Sequence, residues 1–483
     1  MTTNLVRLLL DRAEARPGLA IGTLDDQIRL ADALEVAAGG AERLRSEGLG
    51  AGDRVALVAG TSTDYLIVWL SCFLAGVPVA LINPTYPEQL LGQMLDRFDP
   101  AIVHTDLADT SFARGRAVRP VRESRGWPVA DPFAAPGRDT DRHAIASFMH
   151  TSGTTGVPKF CAQSHEYFVR LGGAVAGALG LTAEDRLLAP LPLFHINPLG
   201  YGVLGALSAG ADALAVRRFS ASAFWGQVRR HAITALTLHA PPVEILKRAT
   251  TAEDAAGHRI RTMFYADGEF LRRFGIPFAV SGYGSTEAAG VTHLRPWSAG
   301  DMLPPNASHH GGAGRPDVDW RLTGAGEIQV RETEPGALFS GYFTADGLDP
   351  ARDADGWFAT GDLGELDEHG GLVFLERAAE SIRVKGEFVP IPYVENWLGT
   401  IDALTDLALW KRTGELVDDE VVLYVVADHV PVECLTAAVG ELPAFMRPRF
   451  VARVDRIPRD AAAGKVQRRL LPEQEVRQWL AIG

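Results

Sequence analysis

The sequence predicts an α/β protein: a large N-terminal domain of helix-covered β-sheets with a small β-barrel-like part, followed by a small α+β C-terminal domain. Three observations carry that prediction. Buried-strand and helix patterns alternate up to about residue 290, as parallel sheets covered by helices require. From about residue 311 the texture changes to short strands joined by glycine turns, which a small barrel or an antiparallel sheet produces. The last hundred or so residues carry an apolar set of their own, which places a boundary near Leu375/Glu376 and domains at 1–375 and 376–483.

In chain order, Leu30 to Ser46 has a helical pattern, and Val55 to Ala59 is a buried strand of the kind parallel sheets use. Tyr65 to Ile82 is nearly all apolar and must be weighed as a membrane span. Gly76 and Pro78 cut it into a helix-length piece and a short β-branched piece, and Ser62 or Asp64 can cap the first. It therefore reads as a buried helix, a tight turn and a buried strand (Val77 to Ile82), with no membrane span. Asn83 to Pro87 is a turn before a helix that runs to about Phe98. Residues 100–140, weakly patterned and rich in Arg, Pro and Asp, read as a surface connection. Ser164 caps a helix that starts at His165. Glycine-flanked strands follow around Gly311–Gly314, Glu327–Val330 and Gly341–Phe343, and Val373 to Leu375 closes the large domain. In the small domain the strand signals are Ala408 to Trp410, Val421 to Val426 and Phe450-Val451.

The chain has 483 residues, 47% hydrophobic and 22% charged, with a net charge of −13. It holds no basic run and no basic–aromatic interleaving, so nucleic acid is not an expected partner. The three cysteines, Cys72, Cys161 and Cys434, are far apart and form no C-x-x-C pair. That suits a reducing cytoplasm, each cysteine acting as a small buried hydrophobe. Met1 to Arg16 lacks the apolar core of a secretion signal, which again points to the cytoplasm. Oligomeric state is not legible, and a homodimer stays open.

The stretch with the most chemistry is Thr151-Ser152-Gly153-Thr154-Thr155-Gly156-Val157-Pro158-Lys159, which follows the apolar run Ala144 to Met149. Glycines let backbone N–H groups turn towards an anion, and hydroxyls with one ammonium add donors for phosphate oxygens. Pro158 before the lysine excludes a Walker loop. Neither G-x-G-x-x-G after a strand nor G-x-S-x-G is present, which disfavours dehydrogenase and serine-hydrolase readings.

In the order of its residues this loop resembles the phosphate loop of the adenylate-forming superfamily, which holds acyl-CoA synthetases, luciferases and peptide-synthetase adenylation domains. Four further stretches fall in the order that superfamily requires. Gly282-Tyr283-Gly284-Ser285-Thr286-Glu287 resembles its Y-G-x-T-E motif, which implies Tyr283 against adenine, Thr286 at the α-phosphate and Glu287 holding Mg²⁺. Thr360-Gly361-Asp362 resembles its T-G-D motif, which implies that Asp362 accepts from both ribose hydroxyls, with Arg377 as the accompanying arginine. Gly464-Lys465 and Arg468 resemble the C-terminal G-K-x-x-R motif, whose lysine bridges carboxylate and α-phosphate. Pro192-Leu193-Phe194-His195 matches P-L-F-H, whose histidine sits at the mouth of the acyl pocket. The stretches Ser208-Ala209-Gly210 and Ala223 to Gln227 look most similar to crotonobetaine/carnitine-type CoA ligases.

The resemblance implies an ATP- and Mg²⁺-dependent enzyme that joins a small carboxylic acid to AMP with loss of pyrophosphate. It implies next a transfer to a thiol, coenzyme A first, with Gly386 beside the thiol arm after a rotation of the mobile small domain. The aspartate that meets the ammonium in α-amino-acid activators has no counterpart near His195, which points to a plain carboxylic acid. Departures from the pattern keep other outcomes open. Glu376, Ala379 and Phe388 stand where Gly, Asp or Lys, and Asn are usual, and one extra residue separates Pro458 from Gly464. Tyr265 to Glu269 replaces a Gly-Gly-Ala stretch on the adenine side. An adenylation enzyme serving an acyl or peptidyl carrier protein, an amine or a partner enzyme is one alternative. A non-catalytic nucleotide- or acyl-binding relative is the other.

Overall fold

The computed structural model describes residues 4–482 apart from 51, 152–156, 299, 305, 378–381, 415–418 and 460–465. The chain divides into two compact units: Met1–Pro84, Leu95–His150 and Phe160–Glu376 form the first, and Thr85–Met94, Thr151–Lys159 and Arg377–Gly483 form the second.

The first unit holds two large sheets. In the eight-stranded one, Ala117–Arg119, Ile102–Thr105, Val55–Val58, Val79–Ile82 and Ile145–Thr151 lie side by side and pair in parallel. Every residue of Val55–Val58 and Val79–Ile82 is buried, which is why these strands are continuous apolar runs and do not alternate. The helix Thr63–Ala75 lies against them with all of its residues buried except Asp64. Ser62 caps it by accepting from the Tyr65 N–H, and Gly76 (φ +71°) ends it. Each of its large apolar side chains contributes about 1.5–3 kcal/mol by leaving water, and Trp69 Nε1 still donates to Ser147 Oγ at 3.2 Å. The apolar stretch is thus a core helix and a strand, and among the described residues no helix is long and apolar enough to cross a membrane. The reading of residues 100–140 as mere connection is corrected: it contains Ile102–Thr105 and Ala117–Arg119, both in the sheet, and buries Phe112 and Val121, each within a short 3₁₀ turn. Ile102–Thr105 ends in His104 and Thr105, and Ala117–Arg119 is three residues closing on an arginine, so neither shows the continuous apolar run that marks Val55–Val58 and Val79–Ile82.

The thirteen-stranded sheet changes character part-way along. From Ala20–Thr23 through Asp212–Ala215, Arg186–Ala189, Ala235–Thr237 and Thr262–Phe264 to Phe278–Tyr283, neighbours run parallel. From Tyr283 onward the chain doubles back as His293–Ser298 and His310–Gly314, antiparallel. Leu372–Arg377, Phe358–Leu366, Glu327–Glu332 and Val318–Leu322 continue the same sheet to its edge. The glycine-rich strands after residue 311 therefore take the antiparallel-sheet alternative. Gly341–Thr344 leaves them and pairs with Lys159–Ser164 in the other sheet.

The second unit contains a four-stranded sheet in the order Asp406–Thr413, Asp419–Val426, Phe450–Val454, Val476–Ala481. Trp410, Val422, Tyr424, Ala452 and Leu471 share its core. Helices Ile391–Leu398 and Val432–Gly440 accompany it. Cys72 and Cys161 are buried as expected, but Cys434, on the second of these helices, is exposed.

Candidate active site

Tyr283 closes the strand Phe278–Tyr283, and its hydroxyl donates at 2.8 Å to Oδ2 of Asp362, 79 residues further on in the strand Phe358–Leu366. Asp362 is 2% exposed. A carboxylate at that depth needs donors, and Tyr283 supplies one. The threonine of Thr360-Gly361-Asp362 acts locally, its hydroxyl receiving the Asp362 N–H at 3.1 Å and donating to the Ile328 carbonyl at 2.7 Å. The Tyr283 ring lies nearly parallel to Phe374, centroids 5.9 Å apart and planes at 21°, and His309 meets Phe374 edge-on. Behind the tyrosine, buried His293 is bonded through Nδ1 to Thr292 Oγ1 at 2.9 Å, and burial pulls its pKa down to about 3. A neutral aromatic wall thus adjoins a buried carboxylate, a combination suited to a nucleoside.

The loop after Tyr283 is held almost entirely through its carbonyls. Tyr167 Oη donates to Thr286 O at 2.9 Å, Tyr201 Oη to Gly290 O at 2.6 Å, and Arg315 to Ala289 O and Val291 O at 3.2 and 2.9 Å. Ala289 (φ +58°) and Gly290 (φ +68°) make the return turn. A Cβ on Gly290 would lie 2.6 Å from a Leu171 methyl and 3.2 Å from Tyr167 Oη, so a larger residue would push the Leu171 side chain aside and crowd the tyrosine hydroxyl. The Glu287 carbonyl receives the Phe339 N–H at 3.1 Å, and its carboxylate receives the Tyr342 hydroxyl at 3.1 Å through Oε1. No group of three or more His, Cys, Asp or Glu residues among the described residues makes a complete metal cage. A single half-buried carboxylate next to Thr286 is nevertheless what Mg²⁺ uses when substrate phosphates and water fill its other positions. The donor set therefore fits Mg²⁺ carried in with ATP.

His195 starts the turn before the π-helix Asn197–Leu204, a helix type that marks functional sites more often than chance allows. Its ring lies 4.7 Å from Phe194 and 6.3 Å from His150, whose Nε2 accepts the Asn83 N–H. Thr151 ends one strand and Lys159 begins the next. Ser152, Gly153, Thr154, Thr155 and Gly156 lie outside the described residues, as does Lys465. The two ends of the lysine loop are described: Arg459 and Val466 form a β-bridge, and Arg459 pairs with Asp406 at 2.8 Å. Arg468, three residues after Lys465 and 9% exposed, makes a two-pronged ion pair with Glu395 at 2.6 and 2.9 Å. That arginine anchors the segment to the helix Ile391–Leu398. Arg377 ends the strand Leu372–Arg377. Gly386 (φ +86°) and Lys385 (φ +53°) are the two residues between Ile382–Val384 and Glu387–Val389, and two left-handed residues are what a type I′ hairpin needs. Turn geometry by itself therefore accounts for a glycine there, with open space around the position a Cβ would take.

Tyr283 and Asp362 are thus brought together, and Gly284, Thr286 and Glu287 lie on the loop that leaves Tyr283. The residues that hold them, Tyr167, Tyr201, Tyr342, Arg315 and Phe374, carried no sequence signal, because each acts from a different element. Gln163 is a further such residue: buried in the strand Lys159–Ser164, it receives the Met149 N–H on Oε1 at 3.1 Å.

The fold is that of solved acyl-CoA synthetases. The Bacillus subtilis o-succinylbenzoate CoA synthetase, a double mutant bound with a product analogue, superposes with a TM-score of 0.85 at 24% identity, covering 99% of this chain and 100% of that one. The same enzyme in complex with ATP and magnesium ion gives a TM-score of 0.68 at 23% identity, over 98% and 99% of the two chains. Residues 26–344 match the AMP-binding enzyme family, and the chain belongs to that family. Curated relatives include the crotonobetaine/carnitine–CoA ligase of Shigella sonnei, 27% identical over 79% of this chain and 80% of that protein. The sulfoacetate–CoA ligase of Cupriavidus necator is 29% identical over 87% of each. By class this is an ATP-dependent, AMP-forming ligase that activates a carboxylic acid as its acyl-adenylate.

Proposed function

We propose that the chain converts a small carboxylic acid, not an α-amino acid, into its coenzyme A thioester. The observation that supports this most is the Tyr283–Asp362 hydrogen bond set beside the Thr286–Glu287 loop, in a chain of this family. In the first half-reaction a substrate carboxylate oxygen attacks the α-phosphorus of ATP, the bond to the β-phosphate oxygen breaks, and pyrophosphate leaves. In the second, the coenzyme A thiol gives up its proton, its sulfur attacks the acyl carbon, and AMP leaves.

The protein's part is positioning and charge stabilisation. Tyr283 flanks the adenine and Asp362 accepts from the ribose hydroxyls, assisted by Arg377. Thr151 to Lys159 and Thr286 donate to phosphate oxygens. Glu287 would hold Mg²⁺, which neutralises phosphate charge as pyrophosphate departs. Lys465 bridges the carboxylate and α-phosphate, and His195 lines the way to the acid. We place the domain boundary between Leu375 and Glu376, with Lys465 and Gly386 on residues 376–483 and Gly386 beside the thiol arm.

The test is ATP–pyrophosphate exchange with a panel of aliphatic, aromatic and amino acids, with and without Mg²⁺, followed by thioester formation with coenzyme A. Mg²⁺-dependent exchange with some carboxylic acid and a thioester product are expected. Folded, ATP-binding protein that exchanges with no acid would end the reading. Exchange without thioester formation would move the acceptor to a carrier protein or another nucleophile.

A further inference from the structure

We propose that Gln163 and Tyr167 are positioning residues that set the Thr286–Glu287 loop against the two strands flanking the phosphate loop. The inference rests on the function proposed above. Gln163 is fully buried, and its amide is used at both ends. Oε1 accepts the Met149 N–H at 3.1 Å and Nε2 donates to the Thr286 carbonyl at 3.4 Å. Met149 lies two residues before Thr151, and Gln163 four residues after Lys159, so one side chain joins the strand entering the phosphate loop to the strand leaving it. The same amide reaches a third segment, the loop that carries Thr286 and Glu287.

Tyr167 converges on the same carbonyl from the first turn of the helix His165–Ala178, its hydroxyl 2.9 Å from Thr286 O. Burial raises its pKa well above the ordinary tyrosine value, so the phenol remains a neutral donor. Both groups are uncharged, which suits them to the role. A lysine or arginine here would compete for phosphate and Glu287, whereas an amide and a phenol fix the backbone without altering the charge of the site. Thr286 O thus receives two donors, and the adjacent Glu287 carboxylate is aimed by the backbone they hold.

The test uses Tyr167→Phe, Gln163→Met and the double variant of the full chain. Displacement of a catalytic group by a fraction of an ångström is costly to rate even where binding survives. The expected result is a fall of about 10- to 100-fold in kcat for pyrophosphate exchange in each single variant, with KM for ATP changed less than about threefold. The Mg²⁺ concentration for half-maximal exchange should rise, because Glu287 moves with Thr286. The double variant should lose less than the product of the two single losses, since both donors serve one carbonyl. A merely structural role predicts a lowered Tm with kcat and Mg²⁺ requirement unchanged, and that outcome overturns the proposal. If Gln163→Met fails to fold, Tyr167→Phe decides alone, because it removes one hydroxyl. Should the parent protein exchange with no acid, the functional reading falls. The positioning claim is then judged by the Mg²⁺ concentration that gives half-maximal ATP binding, and an unchanged Mg²⁺ requirement in Tyr167→Phe refutes it.

Discussion

Replacing Asp362 by Asn tests the proposed role of the buried carboxylate in holding the ribose of ATP. The amide oxygen still accepts the Tyr283 hydroxyl, which lies 2.8 Å from Oδ2 in the parent, so the local fold is kept. What is lost is the negative charge and one acceptor oxygen. Two ribose hydroxyls bonded to a charged acceptor are worth about 1.5–3 kcal/mol each, and Asn retains no more than one of them in weaker form. A net loss of about 1.5–3 kcal/mol corresponds to roughly a 10- to 150-fold rise in KM for ATP. The ribose does not change between ground state and transition state, so kcat should stay within about threefold. Pyrophosphate exchange at saturating acid, with ATP varied, measures both constants. Titration of AMP without acid gives the binding loss independently. A variant with normal KM for ATP and a collapsed kcat would refute the ribose assignment and leave Asp362 as a structural partner of Tyr283. Tyr283→Phe is the companion control: it removes a donor from a carboxylate that is 2% exposed, so it should cost about 1–3 kcal/mol of stability while weakening ATP less than Asp362→Asn does.

Three further outcomes are expected. Lys465→Ala should slow adenylation by about 10²–10³ with ATP affinity nearly intact, by analogy with loss of one oxyanion donor; unchanged exchange would show that the extra residue before Gly464 has moved the lysine out of the site. Gly386→Ala strains a residue held at φ +86°, costing about 1–2 kcal/mol in the hairpin, and should lower thioester formation while leaving exchange in place; equal loss of both activities would contradict a role confined to the second half-reaction. Acid should unfold the protein through three buried histidines, His104 and His165 with pKa values pulled down to about 4 and His293 to about 3 by burial. A histidine with a depressed folded pKa contributes stability above its unfolded value near 6.5 that is lost as pH falls towards the folded one, at about 1.4 kcal/mol per pH unit each. Unfolding free energy should therefore drop between about pH 6.5 and 4, and His104→Gln should reduce the slope by one proton; a parent stability independent of pH across that window would overturn this.

Sequence alone determined what depends on near neighbours. The Ser164 cap, Ser62 as one of two offered caps, the helix Leu30–Ser46, the apolar strands Val55–Val58 and Val79–Ile82 and the stop at Gly76 were legible, since caps and apolar runs are set within one or two turns of chain. Motif order over some 300 residues also named the family, because phosphate loops and ribose-binding carboxylates need particular residues at particular positions along the chain. Tertiary structure alone decided which distant groups meet. It put Tyr283 on Asp362, drew Gly341–Thr344 into the other sheet, recruited Ile102–Thr105 and Ala117–Arg119 as strands and turned Cys434 outward. It also brought Gln163 and Tyr167 to one carbonyl oxygen of Thr286, 123 and 119 residues away. A hydrogen bond's partner is chosen by which strand ends lie together, and strand order is a property of the whole sheet that no local window contains.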